Sequence, residues 1–252
     1  MLRRAFSVGF IVGMLVVGSR GQDEAHRNLQ AFIARTKVGS LRPLLEVLDK
    51  ANLSGSLEFS GRCESLVVQD FPEFPKFRAP ATSGGSPLQT LREMFADDPA
   101  MQVTQDPDGT IRMIERGVPK DILNVWISYL PFGDGQAGGP RPIYDANIAL
   151  MGILGAPEVE VFMKAHHIEW PFLVFGPVSG IFDTVPPAVP PDVPQLWGPL
   201  DHVTFSGAMD YVLKAFPGIW FYENCPRSAA KKGVVYFRFY HLEKTGSGAI
   251  VQ

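Results

Sequence analysis

Titratable side chains come together in the sequence at His166-His167-Ile168-Glu169. The apolar spacing of the residues before this cluster places it at the end of a helix. Neighbouring side chains on a helix point about 100° apart, so two adjacent histidines share one ion poorly. Two interpretations are open. Either the histidines interact with the C-terminal end of the helix dipole, or His166, His167 and Glu169 serve an exported hydrolase whose groove lies between two units of the chain.

Other signatures of catalysis or metal binding are absent from the sequence. The chain contains no HExxH or CxxC motif and no G-x-S-x-G nucleophile elbow. Gly84-Gly85-Ser86 precedes a predicted helix but lacks the lysine of a phosphate-binding loop. We therefore expect no cofactor and no metal, and we favour a protein that is not an enzyme.

The two cysteines, Cys63 and Cys225, lie far apart in the sequence. In an oxidising compartment they allow one disulfide, which would close a very long loop. The alternative is a pair of buried free thiols, which pack as small hydrophobic side chains. A cysteine nucleophile would need a partner that is close in space.

Aromatic residues are concentrated in the C-terminal strands, where both alternating faces carry aromatic side chains. We predict that the outward set, Tyr222, Tyr236 and Tyr240, forms an exposed surface for contact with another protein. The alternative is that a helix or a proline-rich loop covers this face, because sheets in layered folds are often buried on both sides.

Apolar periodicity and turn residues predict the elements of the first half of the chain. The Asp106-Pro107-Asp108-Gly109 segment is typical of a hairpin turn, and Ser86-Pro87 is typical of a helix start. A further strand is predicted around Val125 and Ile127. The other elements are, in order, a polar helix over 22–38, a helix over 41–53, a strand around 57–59, a proline-rich stretch over 61–85, a helix from 86, and hairpin strands around 101–103 and 111–113.

The same order recurs after a Gly/Pro-rich segment over 133–142, which we interpret as a linker. The second series is a helix from 156, a strand over 172–175, a proline-rich stretch, a helix over 209–216, and strands over 219–222 and 235–239. The repeat predicts an α+β fold of two related small units, one over 22–132 and one over 143–252. Each unit would be helix-strand-loop-helix-β-hairpin with proline-rich inserts.

The N-terminus has the three-part pattern of a signal peptide. Arg3 and Arg4 precede an uncharged apolar run of about 14 residues, which is shorter than the roughly 20 residues that span a bilayer. We predict a signal peptide over 1–21 with cleavage after Gly21. Cleavage after Ser19, a retained membrane anchor and export by the twin-arginine route are the alternatives.

Composition restricts the partners that the chain could bind. The formal net charge is −3, and residues 1–21 carry three arginines and no acid, so the mature chain has a net charge of −6. A mildly acidic chain without a basic block argues against nucleic acid. Because no second apolar run approaches spanning length, we expect no membrane span after removal of the signal peptide.

Three segments carry a resemblance to a known family: LRPLLEVLDKANLSGSLEF, PLQTLREMFADDPAMQVTQDPDGTIRMIE and VTFSGAMDYVLKAFPGIWFYEN. Each half of the chain resembles the short N-terminal (STN-type) domains of secretins and TonB-dependent receptors. The resemblance implies a small α+β sandwich that binds other protein surfaces in the cell envelope. We therefore expect a non-catalytic, periplasmic or secreted interaction module whose partner is an envelope protein or a second copy of itself.

Overall fold

A computed structural model of the chain describes residues 40–61, 74–80, 85–132, 142–170, 194–225, 233–245 and 248–251. Several predicted features lie outside these ranges: the signal peptide over 1–21 with its cleavage site at Gly21, the polar helix over 22–38, Cys63, residues 133–141 of the predicted linker, and the strand over 172–175.

The helices and strands of the described residues follow the predicted order, with additions. The helices are α1 (Arg42–Ala51), α2 (Pro87–Met94), α3 (Ala146–Leu154), α4 (Pro157–Ala165) and α5 (Phe205–Ala215), with a short 3₁₀ helix at Ile122–Asn124. The strands are β1 (Gly55–Ser60), β2 (Met101–Gln105), β3 (Ile111–Glu115), β4 (Trp126–Phe132), β5 (Ile168–Glu169), β6 (Gly198–Thr204), β7 (Ile219–Cys225), β8 (Gly233–Tyr240), β9 (Leu242–Thr245) and β10 (Gly248–Val251).

Short polar residues begin α2 and α5 and end α1. The Ser86 hydroxyl accepts a hydrogen bond from the backbone N–H of Gln89 at 3.3 Å, as predicted for the start of α2. Thr204 accepts from Gly207 at 3.1 Å at the start of α5. Asn52 ends α1 in the left-handed conformation, with a φ of 54°, which asparagine tolerates better than most residues.

A six-stranded mixed sheet forms the centre of the fold, with the strand order β2-β3-β1-β7-β8-β5. The predicted hairpin of β2 and β3 is confirmed, and β7 and β8 form a second antiparallel pair. β1 runs parallel to β3 on one side and to β7 on the other. The sheet therefore takes strands from both sides of the predicted linker, and Leu41–Gln252 form one compact unit. The predicted α+β class is confirmed.

The two halves of this sheet have the same internal order. In the first half β3 lies between its antiparallel partner β2 and its parallel partner β1. In the second half β8 lies between its antiparallel partner β7 and its parallel partner β5. A half turn about an axis that crosses the strands relates the two arrangements. Such a rotation reverses the strand directions and exchanges the two faces of the sheet.

Because the rotation exchanges the two faces, the helices of the two halves should lie on opposite faces of the sheet. The burial of side chains agrees with this arrangement. On one face, Trp220, Tyr222 and Phe237 belong to a core that also contains residues of α3, α4, α5 and β4. The strand registers place Leu57, Met113 and Phe221 on the opposite face, where they are buried. On the first-half side α2 packs against β2 and against α1, and the apolar residues of both helices are buried.

A two-stranded antiparallel ribbon of β4 and β6 forms an additional layer. β4 contacts α3 and α4, while β6 contacts α5. The strand around Ile127 is confirmed as β4. Helix α3 and strand β6 were not predicted, because the sequence of α3, ANIALMGIL, is apolar on almost every side and shows no helical period.

Two side chains from helices form hydrogen bonds with the backbone of strands near the sheet edges. The Arg92 Nε group on α2 donates to the carbonyl of Val103 on β2 at 3.0 Å. The N–H of Phe239 on β8 donates to the Asn147 side chain of α3 at 3.0 Å. Occupied edge groups oppose the addition of a foreign strand at these positions.

No single helix among the described residues has the length and apolar composition to cross a membrane. Helices α3 and α4 pass that test only together, as a pair bent by 63°.

Candidate functional site

The histidine cluster lies at an outer strand of the sheet. His166 directly follows α4, and its ring stacks on Phe162 with 4.1 Å between the centroids. His167 has a left-handed φ of 52°, and Glu169 lies on β5, the last strand in the sheet order. The two halves meet at the β1–β7 pair, from which β8 separates β5. Helix α4, which ends just before His166, also contacts β4 and the 3₁₀ helix of the predicted first unit, so the predicted site of His166, His167 and Glu169 between the two units stays a prediction.

Two of the three predicted surface tyrosines are buried. Tyr222 is 1% exposed and Tyr240 is 2% exposed, while Tyr236 is half-buried. Other parts of the chain cover both faces of the β7–β8 pair. This is the alternative that the sequence analysis left open, in which the aromatic face is covered rather than exposed. The Tyr222 hydroxyl donates to the carbonyl of Pro119 at 2.8 Å. The predicted exposure of Tyr222 and Tyr240 is wrong.

Burial changes the ionisation of both tyrosines. Burial raises the pKa of Tyr222 to about 12, although a hydrogen bond from Asn224 opposes the shift. Burial also raises the pKa of Tyr240 to about 12, against the opposing charge of Arg238. An unfolded tyrosine ionises near 10, so the folded state holds these protons more tightly. Their contribution to stability is complete below about pH 10 and is lost as the pH rises towards 12.

We therefore expect an alkaline absorbance titration to separate the six tyrosines of the chain. Phenolate absorbance from Tyr222 and Tyr240 should appear only as the fold is lost near pH 12. Tyr222→Phe should reduce by one the number of tyrosines that ionise in this late step. Tyr144→Phe, at an exposed position, is the matched control. Ionisation of all six tyrosines near pH 10 with an unchanged circular dichroism spectrum would contradict this prediction.

Cys225 is buried at the end of β7. The predicted partner, Cys63, lies outside the described residues, so the Cys63–Cys225 bond stays a prediction.

A charged cluster joins the two halves of the sheet. Arg112 on β3 donates from Nη1 and Nη2 to the carboxylate of Asp210 on α5, at 2.9 and 2.5 Å. Its Nε donates to Asp106 at 2.7 Å, and the indole of Trp220 donates to Asp210 at 2.8 Å. The Arg112 and Asp210 side chains are each 14% exposed. We call these four residues the Arg112 cluster.

Charge complementarity stabilises the guanidinium of this cluster. Burial opposes the charge of Arg112, but hydrogen bonds and the negative charges of Asp210 and Asp106 outweigh burial and raise its pKa. The paired guanidinium and carboxylate form a two-bond contact, which is the strongest geometry available to these groups. The cluster therefore holds β3 against α5, and its charges are paired with one another within the chain.

A second buried carboxylate lies on the central strand β1. Glu58 is 3% exposed and accepts a hydrogen bond from the Ser56 hydroxyl at 2.7 Å. The Lys120 ammonium lies 3.1 Å from Glu58 Oε2, although the angles of this contact do not meet hydrogen-bond geometry. The contact is an ion pair despite its poor alignment, because the attraction between two charges depends on their distance. Glu58 is therefore paired as well as buried.

A small pocket is lined by described residues of the fold. A pocket of about 50 Å³ lies between α1 and the start of β7, lined by residues that include Leu48, Asn52 and Gly218. Ligand pockets usually enclose about 300 Å³ or more. Among the described residues no group of His, Cys, Asp and Glu side chains has a geometry that could hold a metal ion.

Large exposed apolar side chains are concentrated in one part of the described residues. All seven lie between positions 126 and 197, on β4, α3 and α4, just before α3, or in the segment that enters β6. The six-stranded sheet, α1, α2 and α5 contribute none among the described residues. The seven residues are Trp126, Tyr129, Tyr144, Ile148, Met151, Val161 and Trp197.

Helix α3 and the segment before β6 bring several of these side chains to one side. Ile148 and Met151 lie three positions apart on α3, which places them on one side of that helix. Ile143 and Leu196 form an isolated antiparallel bridge, and Leu196 points into the core. Because side chains alternate along extended backbone, Tyr144 and Trp197 lie on the outward side of this bridge.

The ribbon presents two more aromatic residues. Ile127 and Leu130 point inward to the core, and Trp126 and Tyr129 are exposed, at 65% and 45%. Gly152 of α3 lies against the buried ring of Phe132, at the opposite end of β4 from Trp126. We use "apolar surface" for six residues, namely Trp126, Tyr129, Tyr144, Ile148, Met151 and Trp197. The sequence signal for this surface was weak, because its residues lie within apolar runs that also supply the core.

No protein-family model, curated protein or solved structure matches the chain. The function of the protein is therefore inferred from the geometry of its described residues.

Proposed function

We propose that the protein is a non-catalytic, exported interaction module, which binds an envelope protein or a second copy of itself through the apolar surface. The observation that carries this proposal is the concentration of exposed large apolar residues on β4, α3, α4 and the entry to β6. Large exposed apolar patches are uncommon on monomeric proteins and usually mark interaction sites. Tryptophan and tyrosine, which supply four of the six residues, are also the types most enriched in binding hot spots.

We propose that the sheet is the scaffold for this surface and that its halves are related by duplication. The shared strand order β2-β3-β1 and β7-β8-β5 supports this view, as do the matching strand directions. Strands β4 and β6 and helix α3 lie outside this repeated order, and five of the six residues of the apolar surface lie on β4, on α3 or next to β6.

The polar groups at the centre of the fold support a non-catalytic role. The carboxylates of Asp210 and Glu58 are bound by side chains of the same chain. A catalytic group needs access to a substrate, and these groups are covered by the elements that they hold together.

The proposal predicts that polar substitutions on α3 remove binding but not stability. Ile148→Ser/Met151→Ser should lower the affinity for a partner captured from a native envelope extract by at least about tenfold. Both positions are more than 40% exposed, so the free energy of unfolding should change little. Affinity is measured by surface plasmon resonance against the captured protein, and sedimentation velocity of wild type and variant tests self-association.

Lys50→Gln on α1 is the control, since Lys50 is exposed on a helix outside the apolar surface. Equal capture and equal sedimentation of the wild type and the double variant would argue against the proposal. Substrate turnover by the mature protein that His166→Ala or His167→Ala abolishes would overturn the non-catalytic role.

A further inference from the structure

We infer that the partner segment bound by the apolar surface is cationic as well as apolar, that is, a protein segment with large hydrophobic side chains flanked by Lys or Arg. This inference rests on the proposed function and names the chemistry of the partner.

The described segments that build the apolar surface carry charge of one sign. Residues 121–132, 142–163 and 194–213 contain six acidic residues and no Lys or Arg. The remaining charged residues of the described chain are mixed in sign, as in Arg42 and Glu46, which pair on α1. The six acidic residues are Asp121, Asp145, Glu158, Glu160, Asp201 and Asp210.

Two of these carboxylates lie beside the exposed aromatic residues. Asp201 on β6 is the register partner of Tyr129 on β4, and both side chains are exposed. Asp145 directly follows Tyr144 and caps α3 by accepting from the N–H of Asn147 at 2.6 Å. Asp210 is committed to Arg112, and Glu158 accepts hydrogen bonds from Ser128. Asp145 and Asp201 are therefore the acids that border the apolar surface most directly.

Among the described residues, the bases nearest in sequence to these three segments are Lys120, Lys164 and Lys214. Lys214 is the first base after the third segment, and its ammonium lies over the ring of Tyr211 at 5.6 Å. Lys164 is the first base after the second segment, at the end of α4. Complementary charge around an apolar contact steers association and excludes partners of the wrong sign. An acidic border repels nucleic acid and anionic lipid and favours a basic protein segment.

The test uses a displayed library of random 12-residue peptides, selected on the mature wild-type protein at low ionic strength. Peptides that still bind Ile148→Ser/Met151→Ser are removed by counter-selection. In the remaining peptides we expect Lys and Arg to outnumber Asp and Glu by at least about twofold, together with aromatic or leucine residues. Enriched peptides are then synthesised, and their dissociation constants are measured by fluorescence anisotropy.

Asp145→Asn/Asp201→Asn should weaken the binding of these peptides by about three- to tenfold at low salt, and the difference should shrink at high salt. Asparagine caps a helix about as well as aspartate, so α3 should be preserved. Glu46→Gln/Glu93→Gln, which removes two charges from α1 and α2, is the matched control and should leave the binding unchanged.

Each other outcome overturns a defined part of the argument. Surface-dependent enrichment of neutral or acidic peptides would overturn the charge inference and leave the proposed function standing. Absence of any surface-dependent enrichment would overturn both. Sedimentation of the wild type, but not of Ile148→Ser/Met151→Ser, with phosphatidylcholine vesicles would assign the surface to lipid and overturn the choice of a protein segment.

Discussion

Arg112→Met is expected to lower the free energy of unfolding by about 3 to 5 kcal/mol, the usual effect of removing one partner of a buried ion pair. The Asp210 carboxylate would keep the hydrogen bond from Trp220 but would lose both bonds from the guanidinium. The Asp210 side chain is only 14% exposed, so water would replace the lost guanidinium poorly. Urea denaturation followed by tryptophan fluorescence measures the change.

A double-mutant cycle assigns the effect to the ion pair. Asp210→Asn keeps an oxygen for Trp220 and removes the charge, so Arg112→Met/Asp210→Asn should be more stable than the sum of the single changes by about 2 kcal/mol or more. Asp106→Asn is the matched control, because Asp106 is 39% exposed and should contribute about 1 kcal/mol or less. Additive single changes, or an Arg112→Met variant as stable as the wild type, would refute the role of the pair.

Local chemistry was predictable from the sequence where short-range hydrogen bonds decide the structure. The turn at Asp106-Pro107-Asp108-Gly109 forms as expected: Gly109 takes a φ of 92°, and Asp108 accepts from the N–H of Thr110 at 3.0 Å. The predicted helix starting at Ser86 is capped by that residue. In these cases the partners lie within four positions of one another, so the sequence contains both ends of each interaction.

The sheet order was not predictable in the same way. The β1–β7 pair joins Gly55 to Ile219 across most of the chain, and hydrophobic alternation specifies only which residues of a strand point to one face. Alternation along β7 correctly separates Trp220 and Tyr222 from Phe221. It does not say what covers each face, and for that reason the expected exposure was wrong: Tyr222 lies in the core, and Tyr240 packs against Phe74.

The apolar surface and the Arg112 cluster depend on placements that the sequence does not encode locally. Arg112, Asp210 and Trp220 come from β3, α5 and β7 and meet only when the two halves share a sheet. Met151 and Leu150 are neighbours with similar side chains, but one is exposed and the other is buried in the core. A uniformly apolar helix such as α3 carries no periodic signal that separates its two sides.

Gly55→Ala is expected to destabilise the fold by about 3 kcal/mol, at the upper end of the usual effect of overpacking. Gly55 begins β1 between β3 and β7, and its N–H donates to the carbonyl of Gly218 at 3.0 Å. A Cβ at this position would overlap the carbonyl oxygen of Ile111, which is backbone and cannot rotate away. Relief of this overlap would separate β1 from β3 and so weaken the pairing that places Arg112 opposite Asp210.

Gly85→Ala is the matched control for this substitution. The nearest atom to a Cβ at Gly85 is the end of the Gln89 side chain at 3.6 Å, so the free energy of unfolding should stay within about 0.5 kcal/mol of the wild type. The urea midpoints of both variants measure the difference. Equal midpoints would mean that the central strands separate without penalty, which is inconsistent with a rigid β3–β1–β7 core. A Gly55→Ala variant that does not fold, beside a Gly85→Ala variant that does, would mean that the destabilisation exceeds the value expected above. That result would also support the close approach of β1 and β3.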